Sequence, residues 1–204
     1  MKAEMTFTST DPACTVTRGP TEFWIDQARP YRYRALNAYL PPDPPATDLR
    51  ALVCSPGPRA ELGGDAERTL VFVPPNTLRD APGLLGLSSG DTVAGLRDAI
   101  SGGSAHHDGE AQIDGRTVAR IRWDPPPGCP VPGCEREPVF AYVDPETFHP
   151  IRIESPHAYI SVPGRPVVQS HVVVRFLTYE YLPRTAANLE LTDIRAQHPD
   201  ATGP

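Results

Sequence analysis

Proline sets the first limit on this chain. There are 26 prolines in 204 residues, about one in eight. Each one inside a helix would remove a hydrogen bond and clash with the turn before it, so long uninterrupted helices are excluded. What remains is a fold of short elements and many loops. Between the prolines, apolar residues recur at every second position, the period of a half-buried strand. "TEFWIDQ" and "YRYRAL" alternate in this way, with Tyr31, Tyr33 and Ala35 on one face and Arg32 and Arg34 on the other, as an antiparallel pair should.

Further along, "LRALVCS" and "RTLVFVPP" are the next two strand candidates, joined by "PGPRAELGGDAE", whose glycines and prolines predict a loop. The best helix in the chain follows. Asp91 can cap it, Val93, Leu96 and Ile100 share a face, and Gly102-Gly103 can end it. "AQIDGRTVARIRWD" reads as a hairpin on Asp114-Gly115, a dipeptide that suits a type I′ turn. In its second strand Thr117, Ala119, Ile121 and Trp123 face one way, and Val118, Arg120 and Arg122 the other. "PVFAYVD" and "PIRIES" flank "PETFHP", a second hairpin begun by Asp144-Pro145.

The longest strand candidate is "VVQSHVVVRFLTYEYL". Val172, Val174 and Phe176 lie on one side and Val173, Arg175, Leu177 and Tyr179 on the other, a pattern that predicts a central position. "TAANLELTDIRAQHP" closes the chain as a short helix capped at Thr185, or extends as a strand through "LELTDI". Together these elements predict an α+β fold: a curved antiparallel β-sheet, an open half-barrel, covered by one or two short helices. The length suits one domain, residues 1–204, with 199–204 a disordered tail. The chain opens abruptly on the strand-like "AEMTFTST", as one truncated at its N-terminus would.

Composition narrows the partners. Net charge is -6, and the cations are almost all arginine, a sign of genomic G+C bias, with Lys2 the only lysine. No contiguous basic patch stands against this acidic balance, so nucleic acid is not an expected partner. No stretch approaches the roughly 18–20 apolar residues of a membrane span. "MKAEMTFTST" lacks the basic-then-apolar order of a secretory signal.

The four cysteines are Cys14, Cys54, Cys129 and Cys134. The loop "PPPGCPVPGC" favours a local Cys129–Cys134 bridge, which would leave Cys14 to pair with Cys54 in an oxidising compartment. A zinc site lacks a ribbon or finger spacing, and free buried thiols are the remaining alternative.

A strand ending in "WD", then "FAYVDPETFHPIRIE", then "VVVRFLTYEYLP" resembles the second half of the LolA-like lipoprotein-carrier superfamily, over residues 112–183. Its members include periplasmic lipoprotein carriers, RseB-type envelope-stress sensors and mycobacterial lipid-binding lipoproteins. The turn "YVDPETFHPIR" is similar to the Asp-Pro hairpin between two central strands of that fold. The resemblance implies an unclosed barrel packed on helices, an apolar groove for acyl chains or a partner polypeptide, no cofactor and no enzymatic chemistry. It implies an extracytoplasmic protein of the cell envelope, or a secreted one, whose partner is a lipid or lipoprotein. The alternative it carries is an RseB-like sensor that binds a membrane-anchored regulatory protein such as an anti-sigma factor.

On that reading Phe72, Ile121, Trp123, Phe140, Tyr142, Val174 and Phe176 are the candidates to line the groove, although aromatic residues on alternating strands more often form ordinary core. Arg120, Arg122 and Arg175 belong to the solvent face or grip an anionic head group at the rim. His106-His107 beside Asp108 and Glu110 has metal-ligand chemistry, but adjacent strand residues point to opposite faces, and the glycines there favour a solvated turn. Asp144 and Glu146 are turn residues rather than a catalytic pair. No serine or cysteine sits in a nucleophile motif.

Overall fold

The computed structural model describes residues 1–28, 32–40, 48–65, 67–80, 92–124, 137–160 and 168–203. Its eleven strands are β1 (Lys2–Thr10), β2 (Ala13–Asp26), β3 (Arg32–Tyr39), β4 (Arg59–Asp65), β5 (Thr69–Val73), β6 (Thr77–Asp80), β7 (Ala105–Ile113), β8 (Arg116–Trp123), β9 (Val139–Val143), β10 (Pro150–Ile160) and β11 (Val168–Thr178). The helices are α1 (Leu49–Cys54), α2 (Thr92–Ser101), α3 (Ala186–Glu190) and α4 (Ile194–Gln197). All strands join one antiparallel sheet in the order β6-β5-β4-β3-β2-β1-β11-β10-β9-β8-β7. The sheet is not closed, because β6 and β7 are its two edges. The expected curved antiparallel sheet with short helices is therefore the fold, and the long strand β11 is central. No described helix is long and apolar enough to cross a membrane.

Both hairpins form on the expected dipeptides. Asp114 and Gly115 take φ of 50° and 78°, the left-handed pair that a type I′ turn requires. In the second turn the Asp144 carboxylate accepts hydrogen bonds from the backbone N–H groups of Glu146 and Thr147 and from the Thr147 hydroxyl. Those bonds help hold Phe148 at φ 64°, from where its ring packs against the cluster under α2.

Three assignments are corrected. "LRALVC" is helix α1, not a strand: the Asp48 side chain caps it by accepting from Arg50 N and Ala51 N. Six residues of mixed apolar character cannot declare a period by themselves. "RAELGGD", expected within a loop, is strand β4, and its glycines are there for close approach. A Cβ on Gly63 would sit 2.5 Å from Ile194 Cβ, and one on Gly64 would sit 1.9 Å from the Arg68 carbonyl oxygen. His106 and His107 likewise lie on β7 rather than in a turn, and the bulge falls just after them, between His107 and Glu110.

The helices cover separate areas. Leu96 and Ala99 of α2 pack on Ala105, Ala119, Ile121, Ala141 and Val143. The helix ends at Gly102 and at Gly103, which takes φ 76°, as expected, while its predicted cap Asp91 lies outside the described residues. Val53 of α1 packs on Phe7 and Val168. Thr185 caps α3 by accepting from Asn188 N. Ile194 of α4 packs on Leu70 and Leu78. The segment expected as a tail runs beside β6, where Thr202 forms a parallel bridge with Thr77.

Candidate functional site

Residues directly opposite in an antiparallel ladder share a face of the sheet. Following register from strand to strand gives one continuous rung: Ile121 on β8, Ala141 on β9, Ile153 on β10, Val174 on β11, Met5 on β1 and Arg18 on β2. Five apolar side chains thus run across five strands and end on an arginine. At about 4.8 Å per strand the rung is roughly 24 Å long.

Both α1 and α2 lie on the face that carries this rung. Helix α2 buries Ile121 and Ala141 to 1% exposure each and reaches Ile153. Helix α1 covers the neighbouring rung, where Phe7 pairs with Val16 and Val172. It is tied to β2 by the disulfide Cys14–Cys54, with 5.8 Å between Cα atoms. Cys129 and Cys134 lie outside the described residues. Between the two helix-covered clusters, Met5 and Val174 form a half-buried strip, and Phe176, two residues along β11, continues it.

Past Phe176 the strip meets an aromatic group. Tyr179 stands edge-on to Phe176 at 6.2 Å and to Tyr181 at 5.8 Å, and the His149 ring lies 5.2 Å from Tyr179. A pocket of about 110 Å³ opens there between Phe23, Ile25, Tyr179 and Tyr181. A larger cleft of about 360 Å³ adjoins it, walled by Phe23, Trp24, Ile25, Leu182 and Leu189.

At the other end of the rung, the Arg18 guanidinium lies 3.8 Å above the Tyr39 ring and 5.9 Å from that of Phe7. Tyr39 is seated against Gly57, where an added Cβ would come within 1.8 Å of the ring.

Register divides the seven groove candidates between two faces. Ile121, Trp123, Val174 and Phe176 lie on the face of the rung. Phe140 and Tyr142 lie on the opposite one, paired with Arg122 and Arg120. There the Arg120 guanidinium sits over Phe140 and that of Arg152 over Tyr142. Burial and the neighbouring Glu154 carboxylate push the Tyr142 hydroxyl pKa up.

Phe72 shares this second face and stacks on His198. A third cavity, of about 230 Å³, lies on this side between α4 and β3–β5, but Arg32 and Arg68 on its wall are already paired, with Asp193 and Asp80. His106 faces Asp124 at 3.8 Å, and His107 accepts from Gly109 N.

Sequence reading did not single out Met5, Ile153, Arg18 or Tyr39. The alternation Ala3, Met5, Phe7 in "AEMTFTST" carries the signal for the first of these.

No protein-family profile matches this chain, and no curated protein sequence matches it. Solved structures similar to it include a protein from Vibrio parahaemolyticus assigned as an outer membrane lipoprotein-sorting domain. That likeness has TM-score 0.31 and 10% identity, over 88% of this chain and 85% of the other. A LolA superfamily protein from Nitrosomonas europaea has TM-score 0.31 and 10% identity, over 89% and 86% of the two chains. A DUF1329 family protein from Desulfovibrio piger has TM-score 0.31 and 11% identity, over 85% and 81%.

Proposed function

We propose that this protein is a non-enzymatic carrier of a lipophilic ligand, an acyl lipid or the acylated end of a lipoprotein, held on the sheet face between α1 and α2. The observation that carries the reading is the half-buried strip of Met5, Val174 and Phe176, which continues an apolar rung whose other members are already packed under a helix. Each methylene laid on such a surface contributes about 0.8 kcal/mol when fully buried, so a long chain gains enough for tight binding with no polar contact. The disulfide Cys14–Cys54 supports an extracytoplasmic location, since such bonds persist in oxidising compartments.

The test is native mass spectrometry of the gently purified protein, followed by solvent extraction, with Val174→Asp as comparison. A stoichiometric acyl lipid that disappears in the variant is the expected result. A wild-type protein that is empty and takes up no added fatty acid or phospholipid would overturn the reading.

A further inference from the structure

Four arginines lie over aromatic rings among the described residues: Arg18 over Tyr39, Arg34 over Trp24, Arg120 over Phe140 and Arg152 over Tyr142. Stacking occupies the face of the guanidinium and leaves its donors, which lie in the plane, to find acceptors at the edge. In three cases a carboxylate is there: Glu61 for Arg34, Asp108 for Arg120 and Glu154 for Arg152. Arg18 has no carboxylate partner among the described residues, and its Nε is buried without any hydrogen-bond acceptor. Arg152 Nε is also without an acceptor, but that guanidinium reaches Glu154 through Nη2 at 2.9 Å.

Location separates Arg18 further from the others. Arg34, Arg120 and Arg152 stand on the face opposite the apolar rung, whereas Arg18 ends the rung itself, directly across from Met5. A fixed cation with unused donors, at the end of a row of apolar side chains, matches an amphiphile with an anionic head and a hydrocarbon tail. A carboxylate or phosphate offers two oxygens in one plane, the shape that a guanidinium edge binds bidentately.

We infer that Arg18 receives the anionic head group of the bound lipid, with the acyl chain running from Met5 over Val174. The inference rests on the lipid-carrier reading above and adds to it a charge requirement on the head. Tyr39 is the positioning residue: its ring holds the guanidinium plane, and Gly57 leaves room for that ring.

The test compares laurate with 1-dodecanol, equal in chain length and different in head charge, by calorimetric titration at pH 8. The proteins are the wild type, Arg18→Gln and Arg18→Lys. The expected result is that the wild type binds laurate at least tenfold more tightly than dodecanol. Arg18→Gln should lose that preference while keeping its dodecanol affinity, and Arg18→Lys should restore part of it. Because each protein is its own control, a variant that fails to fold is recognised by loss of both ligands, and Arg18→Lys then decides. Equal binding of the two ligands by the wild type, or an undiminished preference in Arg18→Gln, would overturn the role of Arg18 and leave the carrier reading standing. Binding of neither ligand by the wild type would overturn both.

Discussion

His198 lies flat on Phe72, with ring centroids 3.7 Å apart and planes 7° from parallel, and its Nε2 meets Glu61 Oε2 at 2.9 Å. Glu61 also accepts from Arg34 Nε, and Arg34 reaches on to the Leu191 carbonyl. One carboxylate thus ties the C-terminal helices to the back of β3 and β4. Removing it leaves the Arg34 guanidinium, only 9% exposed, without its counter-charge. Glu61→Ala is expected to cost about 3–5 kcal/mol, and His198→Ala, which removes the stacked ring, about 1 kcal/mol. Urea denaturation reads both, and an unchanged midpoint in Glu61→Ala would refute the assignment.

The Cys14–Cys54 disulfide closes a segment of sequence separation 40. Loop-closure entropy puts its contribution on the order of 4 kcal/mol. The double variant Cys14→Ser, Cys54→Ser should therefore melt well below the oxidised wild type, and the reduced wild type should melt with it. If reduction shifts the wild-type melting temperature by less than a degree, α1 is held by packing alone.

Two glycine positions should respond with opposite signs. Gly95 lies on α2 with nothing within 4 Å of an added Cβ, so Gly95→Ala is expected to stabilise by about 0.5–1 kcal/mol. Gly63 is packed so closely under Ile194 that an added Cβ would lie 2.5 Å from its Cβ, so Gly63→Ala should destabilise by more than about 1 kcal/mol as α4 is pushed off the sheet. Matching effects in the two variants would mean that Ile194 is not seated on Gly63.

Hydrogen bonds from the Thr147 backbone and hydroxyl, with a further one from Glu146 N–H, hold the Asp144 carboxyl below its ordinary pKa. A pKa lowered by folding means that the stabilisation is complete above the unfolded value of about 3.9 and fades as pH falls through the folded value. Asp144→Ala should cost about 1–2 kcal/mol at pH 7. The difference from wild type should narrow steadily below about pH 4. A gap that stays constant down to pH 2 would place the effect outside the carboxylate. Ligand binding should be unchanged, because the turn serves the fold.

Much of this architecture is legible where the cause is local. Asp114-Gly115 and Asp144-Pro145 announce their turns because the conformations they favour belong to those dipeptides themselves. The alternation of β8 separates Ile121 and Trp123 from Arg120 and Arg122 with no structure in hand. Strand β4 was hidden because the reason for Gly63 is Ile194, a contact that spans most of the chain. Helix α1 was hidden because its apolar residues answer to Phe7 and Val168 rather than to a helical period.

The candidate site divides in the same way. Alternation within each strand could be read, but the phase between strands could not. Pairing Ile121 with Ala141, rather than with Phe140 or Tyr142, decides which side chains share a face. Arg18 is unremarkable as one cation among many until register places it across from Met5.

Every pair of strands adjacent in the sheet is also adjacent in sequence, save β1 and β11. Strands β1–β6 and strands β7–β11 are therefore two meanders that can each zip locally, and their one strand-to-strand seam is where Met5 meets Val174, with α4 and Thr202 reaching back to β4–β6. Closing that seam costs about 2–3 kcal/mol more chain entropy than closing a ten-residue hairpin. It is the slow step to expect in folding. The strip proposed to carry the ligand lies on the seam itself, so an occupant would act as mortar between the halves, and the loaded protein should resist separation of the two meanders more than the empty one.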